Sequence, residues 1–213
     1  SEDISELESS AYLLELIDEF NCNLDTTFIV SQPDPLISSV SKKDVSCFSY
    51  SDGEIEVDIF GGVLPYVINW NNSLSDSSYI DSLSSGEYIV SIIDSNDCII
   101  LDTIIIYEPQ QLELSESITH VLCNGQETGV IDIDVNGGTP QYQYLWSNSS
   151  TNEDLLNVAA WNYTLNITDQ NDCVVIKNYI INEPLSPLSV SADINSILCF
   201  GDDNGEINLS VFG

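Results

Sequence analysis

The sequence has 213 residues, and its 35 aspartates and glutamates are balanced by only 3 lysines, which gives a formal net charge of -32 at pH 7. A polyanion of this density is repelled by phosphate groups, so nucleic acid is excluded as a direct partner and anionic lipid is disfavoured. One histidine, no arginine and no glycine-rich phosphate loop predict a protein without a catalytic site. No window approaches the roughly 18 consecutive apolar residues of a membrane helix, so no membrane insertion is expected.

The chain is a repeat array with a period of 76 residues. Cys47, Cys123 and Cys199 keep this spacing. The glycines at 53, 129 and 205 and those at 61, 137 and 213 keep it too. We therefore expect the second half of a repeat at 1–35, complete repeats at 36–110 and 111–186, and the first half of a further repeat at 187–213. Because both ends fall inside a repeat, we expect a segment of a longer polypeptide.

Residues 1–35 are predicted to form two strands. The segment around Tyr12 is apolar, and after a turn the run DTTFIV is apolar again. The leucines and isoleucine between 13 and 17 would also suit a helix. The segments that align with this stretch, GEYIVSIID and NYTLNITD, are rich in β-branched and aromatic residues, which favours strands.

The first complete repeat is predicted to contain about seven short strands. The first predicted strand is LISSVSKKDVSC. The second is GEIEVDIF, in which apolar and acidic residues alternate as in a half-buried strand. The turn at Gly61 and Gly62, the strand PYVINW, the polar loop NNSLSDSS and the strands YIDSL, EYIVSIID and CIILDTIIIYEP follow. The second repeat has the same order and neither contains a helical pattern, so we predict an all-β fold of tandem immunoglobulin-like antiparallel β-sandwich repeats.

A few residues in each copy are expected to define its structure: a glycine pair at the turn, a tryptophan in the next strand and a tyrosine in a later one. These are Gly61, Gly62, Trp70 and Tyr88 in the first repeat and Gly137, Gly138, Trp146 and Tyr163 in the second. Short linkers that contain Pro109 and Pro184 are stiff, which predicts a rod-like array. Trp161 replaces the glycine of the first repeat, which indicates an exposed turn or a contact with a neighbouring domain.

The combined pattern resembles the SprB repeat family. It consists of a cysteine, a glycine before an alternating strand, GG-T-P-x-Y-x-Y-x-W at 137–146, a strand led by tyrosine, D-x-N-D-C and a final E-P. The family occurs in very large surface adhesins of Bacteroidetes, including those that act in gliding motility and are exported by type IX secretion. The resemblance implies an extracellular, cell-surface, non-catalytic adhesive array. Val63 and Leu64 depart from the Thr-Pro of the motif, which leaves the geometry of that turn open.

Six recurring cysteines indicate an oxidising environment. Pairing within a repeat would join Cys47 to Cys98 and Cys123 to Cys173. In an immunoglobulin-type sandwich the two cysteines of one repeat lie at opposite ends, more than roughly 20 Å apart. A disulfide needs Cα atoms within about 7 Å, which argues against pairing within a repeat. Head-to-tail packing would instead bring Cys47 to Cys173, and we favour this inter-domain bridge while leaving pairing within the repeats and free thiols open. The remaining cysteines would then pair in other repeats or another chain.

Two further kinds of site remain as alternatives. The oxygen ligands of Asp94, Asn96 and Asp97, and of Asp169, Asn171 and Asp172, are of the type that calcium prefers, although hairpin turns also favour Asp and Asn. Aromatic side chains could form a sugar-binding strip or pack in the core. These are Tyr66, Trp70, Tyr142, Tyr144 and Trp146.

We interpret the chain as a structural stalk segment of a very large secreted adhesin or extracellular filament that mediates attachment to surfaces or other cells. The expected partners are neighbouring repeats, other copies in a homo-oligomeric filament, and surface glycans or cells reached through other regions. The alternative is a carbohydrate- or calcium-binding β-sandwich module, with calcium as the one cofactor considered. A multichain fibre whose end units are completed by strands of other copies is a third possibility.

Overall fold

The predicted all-β fold is confirmed in the computed structural model, which describes residues 3–71 and 76–213. The described part of the chain contains strands and turns but no helix, and therefore no helix that could cross a membrane. Residues 72–75, which belong to the predicted polar loop NNSLSDSS, lie outside the described residues. The chain divides into two compact units: unit 1 comprises residues 1–44 and 51–106, and unit 2 comprises residues 45–50 and 107–213.

The strands of unit 1 are β1 (Ser10–Ile17), β2 (Asn23–Val30), β3 (Ile37–Lys43), β4 (Gly53–Phe60), β5 (Val67–Trp70), β6 (Tyr79–Leu83), β7 (Gly86–Ile93) and β8 (Ile99–Ile106). The strands of unit 2 are β9 (Glu113–Thr119), β10 (Gly129–Asn136), β11 (Gln143–Trp146), β12 (Leu155–Val158), β13 (Asn162–Thr168), β14 (Val174–Ile180), β15 (Ser189–Asn195) and β16 (Glu206–Phe212).

Each unit holds two three-stranded antiparallel sheets and one separate hairpin. In unit 1 the sheet orders are β3-β4-β6 and β5-β7-β8, and the hairpin is β1-β2. In unit 2 the orders are β9-β10-β12 and β11-β13-β14, and the hairpin is β15-β16. This arrangement corresponds to the ABE and CFG sheets of an immunoglobulin-type sandwich. The two strands predicted for residues 1–35 are β1 and β2.

The prediction of about seven strands per repeat is wrong by one, because the described residues of each repeat form six. In the second repeat, which is described throughout, the missing element is the D strand of the immunoglobulin pattern. In unit 2 the chain between β11 and β12 turns tightly instead: the Ser149 amide donates to the Trp146 carbonyl at 2.9 Å, and the Ser147 amide donates to the Thr164 carbonyl at 2.8 Å. These bonds hold the segment against β11 and β13, so it does not extend the other sheet.

The core of each sandwich is built by the apolar face of alternating strands. In β4, Ile55 and Val57 are buried whereas Glu56 and Asp58 are exposed, as their alternation predicts. In unit 2, Ile131 and Ile133 of β10 pack in one cluster with residues of the opposite sheet. Burial of the apolar side chains that the two sheets direct toward each other is therefore the main contribution to the stability of each sandwich.

Candidate functional site

The turn between β13 and β14 is organised by the buried carboxylate of Asp169. Its Oδ1 accepts hydrogen bonds from the backbone amides of Asn171 and Cys173, both at 2.9 Å. Its Oδ2 accepts a third from the amide of Thr139 at 2.7 Å, in the turn that follows β10. A carboxylate that satisfies three otherwise unpaired amides stabilises the turn and ties it to a second loop.

Asp94 makes the equivalent turn in unit 1. Its carboxylate accepts the amides of Asn96 at 2.8 Å, Cys98 at 2.9 Å and Val63 at 3.0 Å. The hydrogen bond from the Cys98 amide is the largest cause that holds the pKa of Asp94 below its ordinary value, and the bonds from Val63 and Asn96 act in the same direction. The two complete repeats therefore share one turn architecture.

The predicted glycine pair provides the second loop of this architecture. Gly137 has φ +75°, and a Cβ on it would lie 1.9 Å from the Gln111 carbonyl oxygen. Gly138 has φ +61°, and a Cβ there would lie 2.8 Å from Asp169 Oδ2. Any larger residue would push the loop away from the linker and from the carboxylate, so glycine is required at both positions.

A disulfide joins Cys47 to Cys173 beside the Asp169 turn, with Cα atoms 5.7 Å apart. Cys47 belongs to the segment Val45–Tyr50, which we call the cysteine loop and which packs within unit 2. The Asn171 side-chain amide donates to the Ser46 carbonyl at 3.0 Å and to Thr139 Oγ1 at 3.0 Å. Cys47 and Cys173 are both buried.

The cysteine loop is also held at its two ends. The Val45 amide donates to the Tyr107 carbonyl at 2.9 Å, and the Ser49 amide donates to a carboxylate oxygen of Glu108 at 2.7 Å. A cavity of about 180 Å³ lies beside the loop. Phe48 and Tyr50 line it together with residues 109–112 of the linker. The loop is therefore fixed by backbone, side-chain and covalent contacts together.

The other cysteines, Cys22, Cys98, Cys123 and Cys199, are free and exposed. The pairs Cys47 with Cys98 and Cys123 with Cys173, which the sequence left open, are not formed in the structure. The Asp94 carboxylate raises the pKa of the Cys98 thiol above its ordinary value, and burial and Asp97 act in the same direction.

The residues considered for calcium serve the turns. Both carboxylate oxygens of Asp94 and of Asp169 accept backbone amides, and Asp97 and Asp172 occupy exposed positions with φ +63° and +62°. The Asn96 and Asn171 amides complete the turns. Within residues 3–71 and 76–213, no group of three or more His, Cys, Asp or Glu side chains is placed to hold a metal ion.

The aromatic residues pack mainly inward. Trp70 and Trp146 are only 4% and 1% exposed, and their indole N–H groups donate to the carbonyls of Ser77 and Asn152 at 2.9 Å. The hydroxyls of Tyr66 and Tyr142 donate to the carbonyls of Gly61 and Gly137, and that of Tyr144 donates to Glu153. Buried indole rings cannot present a face to a sugar. Of the two alternatives given for Trp70 and Trp146, packing in the core is therefore the one that the structure shows.

One structural motif escaped the sequence reasoning. The Tyr88 and Tyr163 hydroxyls donate to backbone carbonyls four residues earlier, at Ser84 and Ala159, over 2.9 Å and 3.1 Å. This is the tyrosine corner of immunoglobulin-type sandwiches. The signal was available in the tyrosine near the start of the penultimate strand of each repeat. Trp161 precedes that strand with a ring 72% exposed, which leaves a contact with a further domain as a prediction.

No curated protein shows significant similarity to the chain. Two segments of the chain, residues 39–75 and 115–151, match the SprB repeat family. Both segments contain the first cysteine of a repeat, the glycine pair and the aromatic strand. The two matches therefore lie one repeat apart, at equivalent positions of the two complete repeats.

Proposed function

We propose that the chain is a load-bearing stalk segment of a large extracellular adhesin or surface filament that holds distant binding regions away from the cell. The repeat family supports a place in a cell-surface protein. The charge of -32 supports a surface that stays solvated and resists lateral association when many repeats are joined. Attachment to surfaces or cells, gliding motility and export by type IX secretion belong to this proposal.

The disulfide between Cys47 and Cys173 carries the mechanical part of the proposal. It encloses a sequence separation of 126 residues, from before β4 to the start of β14. A force applied to the two ends of the chain passes through the covalent bond, so the enclosed strands β4 to β13 bear no extension while it is intact. Non-covalent strand pairing alone would not have this property, because sheets separate under force by breaking hydrogen bonds.

Single-molecule force spectroscopy on the 213-residue protein tests this role. Under non-reducing conditions the stretched protein should extend only by the residues outside the disulfide. Addition of a reductant should release roughly 400 Å of further length, at about 3.3–3.6 Å per residue. The C47S/C173S double variant should show the full length without reductant. Equal extension of the oxidised wild type and the double variant would refute the mechanical role.

The cellular part of the proposal has a separate test. In a native host, the repeats should be cleaved by protease added to intact cells, and cells that lack the protein should adhere less to surfaces. Protection from external protease would contradict the extracellular location while leaving the force measurement unaffected.

A further inference from the structure

We propose that Cys98 and the groove beside it form an acceptor site for the cysteine loop of another SprB repeat, which binds there through a disulfide. Nothing in this inference depends on adhesion or on load bearing, so it goes beyond the proposed function. It rests on the comparison of two equivalent sites in the same chain, of which one is occupied and one is open.

The occupied site is the one at Cys173. There the cysteine loop forms the disulfide, and its Ser46 carbonyl accepts a hydrogen bond from the Asn171 side chain. The residues that receive the loop are the Asp169 turn, the glycine pair and the linker at 109–112. Cys173 is 9% exposed as a result.

The open site in unit 1 has the same receiving parts already in place. The Asp94 carboxylate accepts hydrogen bonds from the amides of Asn96 and Cys98. Their lengths differ by at most 0.1 Å from those of the two equivalent hydrogen bonds to Asp169. Asn96 stands at the position of Asn171, whose side chain binds the loop. Cys98 is a free and exposed thiol. The site therefore needs no rearrangement of its turn to accept a loop.

A groove of about 260 Å³ runs beside Cys98 where the cysteine loop lies in the occupied site. It is lined by residues 33–36 of the preceding linker and by Gly62. The cavity at the occupied site is lined by the equivalent residues 109–112 and Gly138, with the addition of Phe48 and Tyr50 from the loop. The loop is thus the part that one site has and the other lacks.

The shape of the free loops identifies the occupant. The loops at Cys123 and Cys199 make the same turn as the bonded loop, with amide-to-carbonyl bonds from Gln126 to Cys123 at 3.1 Å and from Asp202 to Cys199 at 3.2 Å. The Gly125 amide donates a hydrogen bond to the Glu183 carboxylate. The bonded loop has the equivalent hydrogen bond, from the Ser49 amide to the Glu108 carboxylate. The loop therefore has its binding shape before the disulfide forms.

An aromatic ring of the loop lines the cavity of the occupied site. Phe48, next to the bonded Cys47, is 43% exposed and lines this cavity together with Tyr50. The occupant of the Cys98 groove is accordingly a repeat loop that carries a thiol followed by an apolar or aromatic side chain. Two thiols, one from each repeat, lose two protons and two electrons to a small-molecule or protein disulfide, which is reduced to two thiols as the new bond forms.

The test uses a synthetic peptide with the sequence of residues 43–51, whose cysteine is activated as a mixed disulfide with 2-thiopyridine. The Cys98 thiolate attacks the peptide sulfur, the bond to the pyridine sulfur breaks, and pyridine-2-thione leaves with its electron pair. A capped Ser-Cys-Gly peptide activated in the same way measures the intrinsic reactivity of each thiol. Mass spectrometry of the full chain after brief labelling gives the ratio of modification at each cysteine.

Cys22 is the internal control, because it lies in the same kind of turn but has phenylalanine in place of the asparagine that would bind the loop. The Asp18 carboxylate accepts the amides of Phe20 and Cys22 at 2.8 Å and 2.9 Å, and Phe20 stands in the place of Asn96. We expect the loop peptide to raise the ratio of Cys98 to Cys22 labelling by about tenfold over the short peptide, which corresponds to about 1.4 kcal/mol of docking. An unchanged ratio would overturn the proposal.

Two variants test the docked geometry. Asn96→Ala keeps the backbone amide that Asp94 binds and removes the side chain that would bind the loop carbonyl, so most of the selectivity should be lost. Replacing phenylalanine with alanine in the peptide should lower it as well. If both changes leave the ratio of Cys98 to Cys22 labelling as high as before, Cys98 is only an exposed thiol. The same conclusion follows if, under oxidation without peptide, Cys98 forms a disulfide with Cys22 of a second molecule as fast as it reacts with the peptide.

Discussion

Asp94 and Asp169 act as internal caps that close two turns and attach each turn to a distant loop. Three amides converge on each carboxylate, and the third comes from a residue 31 or 30 positions earlier in the chain. The local part of this arrangement was predictable, because Asp and Asn favour such turns. The bond to Val63 or Thr139 has no local signal, since it depends on how the two sheets are packed.

Asp94→Asn should make the stability of unit 1 less dependent on pH. The pKa of Asp94 in the folded protein lies below its ordinary value of 3.8, so the carboxylate contributes stability above pH 3.8 that is lost as the pH falls toward the folded pKa. In the wild type, the backbone amides of β7 should therefore lose protection from hydrogen exchange as the pH falls below 4, after correction for the intrinsic chemical exchange rate. The variant should exchange faster near neutral pH and change less on acidification.

Asp97→Asn is the matched control for this measurement. Asp97 lies in the same turn, is exposed and has φ +63°, a conformation that asparagine also adopts readily. Its substitution removes a charge of the same sign without removing the three amide bonds. Identical pH profiles for the two variants would mean that charge, and not the capping geometry, determines the acid sensitivity.

Gly137→Ala should destabilise unit 2 by at least about 3 kcal/mol, or prevent its folding. Its Cβ would approach the Gln111 carbonyl oxygen to 1.9 Å, and the positive φ adds about 1 kcal/mol or more. Gly125→Ala separates these two causes, because Gly125 has φ +78° and no atom within 4 Å of the added Cβ. Denaturant unfolding followed by near-UV circular dichroism should show a much smaller loss for Gly125→Ala, and equal losses would contradict the steric explanation.

At the scale of the elements, alternation along β4 and β10 predicted which side chains enter the core. The short edge elements were harder to predict. The chain between β11 and β12 is as polar as an edge strand, and only its hydrogen bonds to Trp146 and Thr164 show that it turns instead. Composition cannot distinguish an edge strand from a loop of the same length, since both are exposed.

Trp146→Ala should cost unit 2 about 3–5 kcal/mol, the range for removing a buried aromatic side chain. Trp146 is 1% exposed, its ring centroid lies 5.7 Å from that of Tyr179, and its indole donates to Asn152. Trp161→Ala is the control on the same unit, and because its ring is 72% exposed its effect should stay within about 0.5 kcal/mol. Hydrogen exchange of β13 measures both, and a comparable loss from Trp161→Ala would show that its ring packs against the fold.

At the scale of the whole molecule, cysteine spacing alone left three pairing patterns open. All six cysteines recur with the period of the repeat, so their positions in the sequence are equally compatible with bonds within and between repeats. The decision depends on which end of a sandwich each cysteine occupies, and that follows from strand topology. The structure places Cys47 in the cysteine loop of unit 2, beside Cys173.

The C47S/C173S double variant should lose stability in unit 2, by up to about 5 kcal/mol if all of the enclosed chain unfolds together, as the loop-closure relation gives for 126 residues. The loss should be smaller if unit 1 stays folded, because a folded unit shortens the effective length of the open loop. Hydrogen exchange of β13 in denaturant distinguishes these cases, and reduction of the wild type should reproduce the variant. C98S removes a free thiol and should match the wild type. A double variant as stable as C98S would show that the cysteine loop is held by its hydrogen bonds alone.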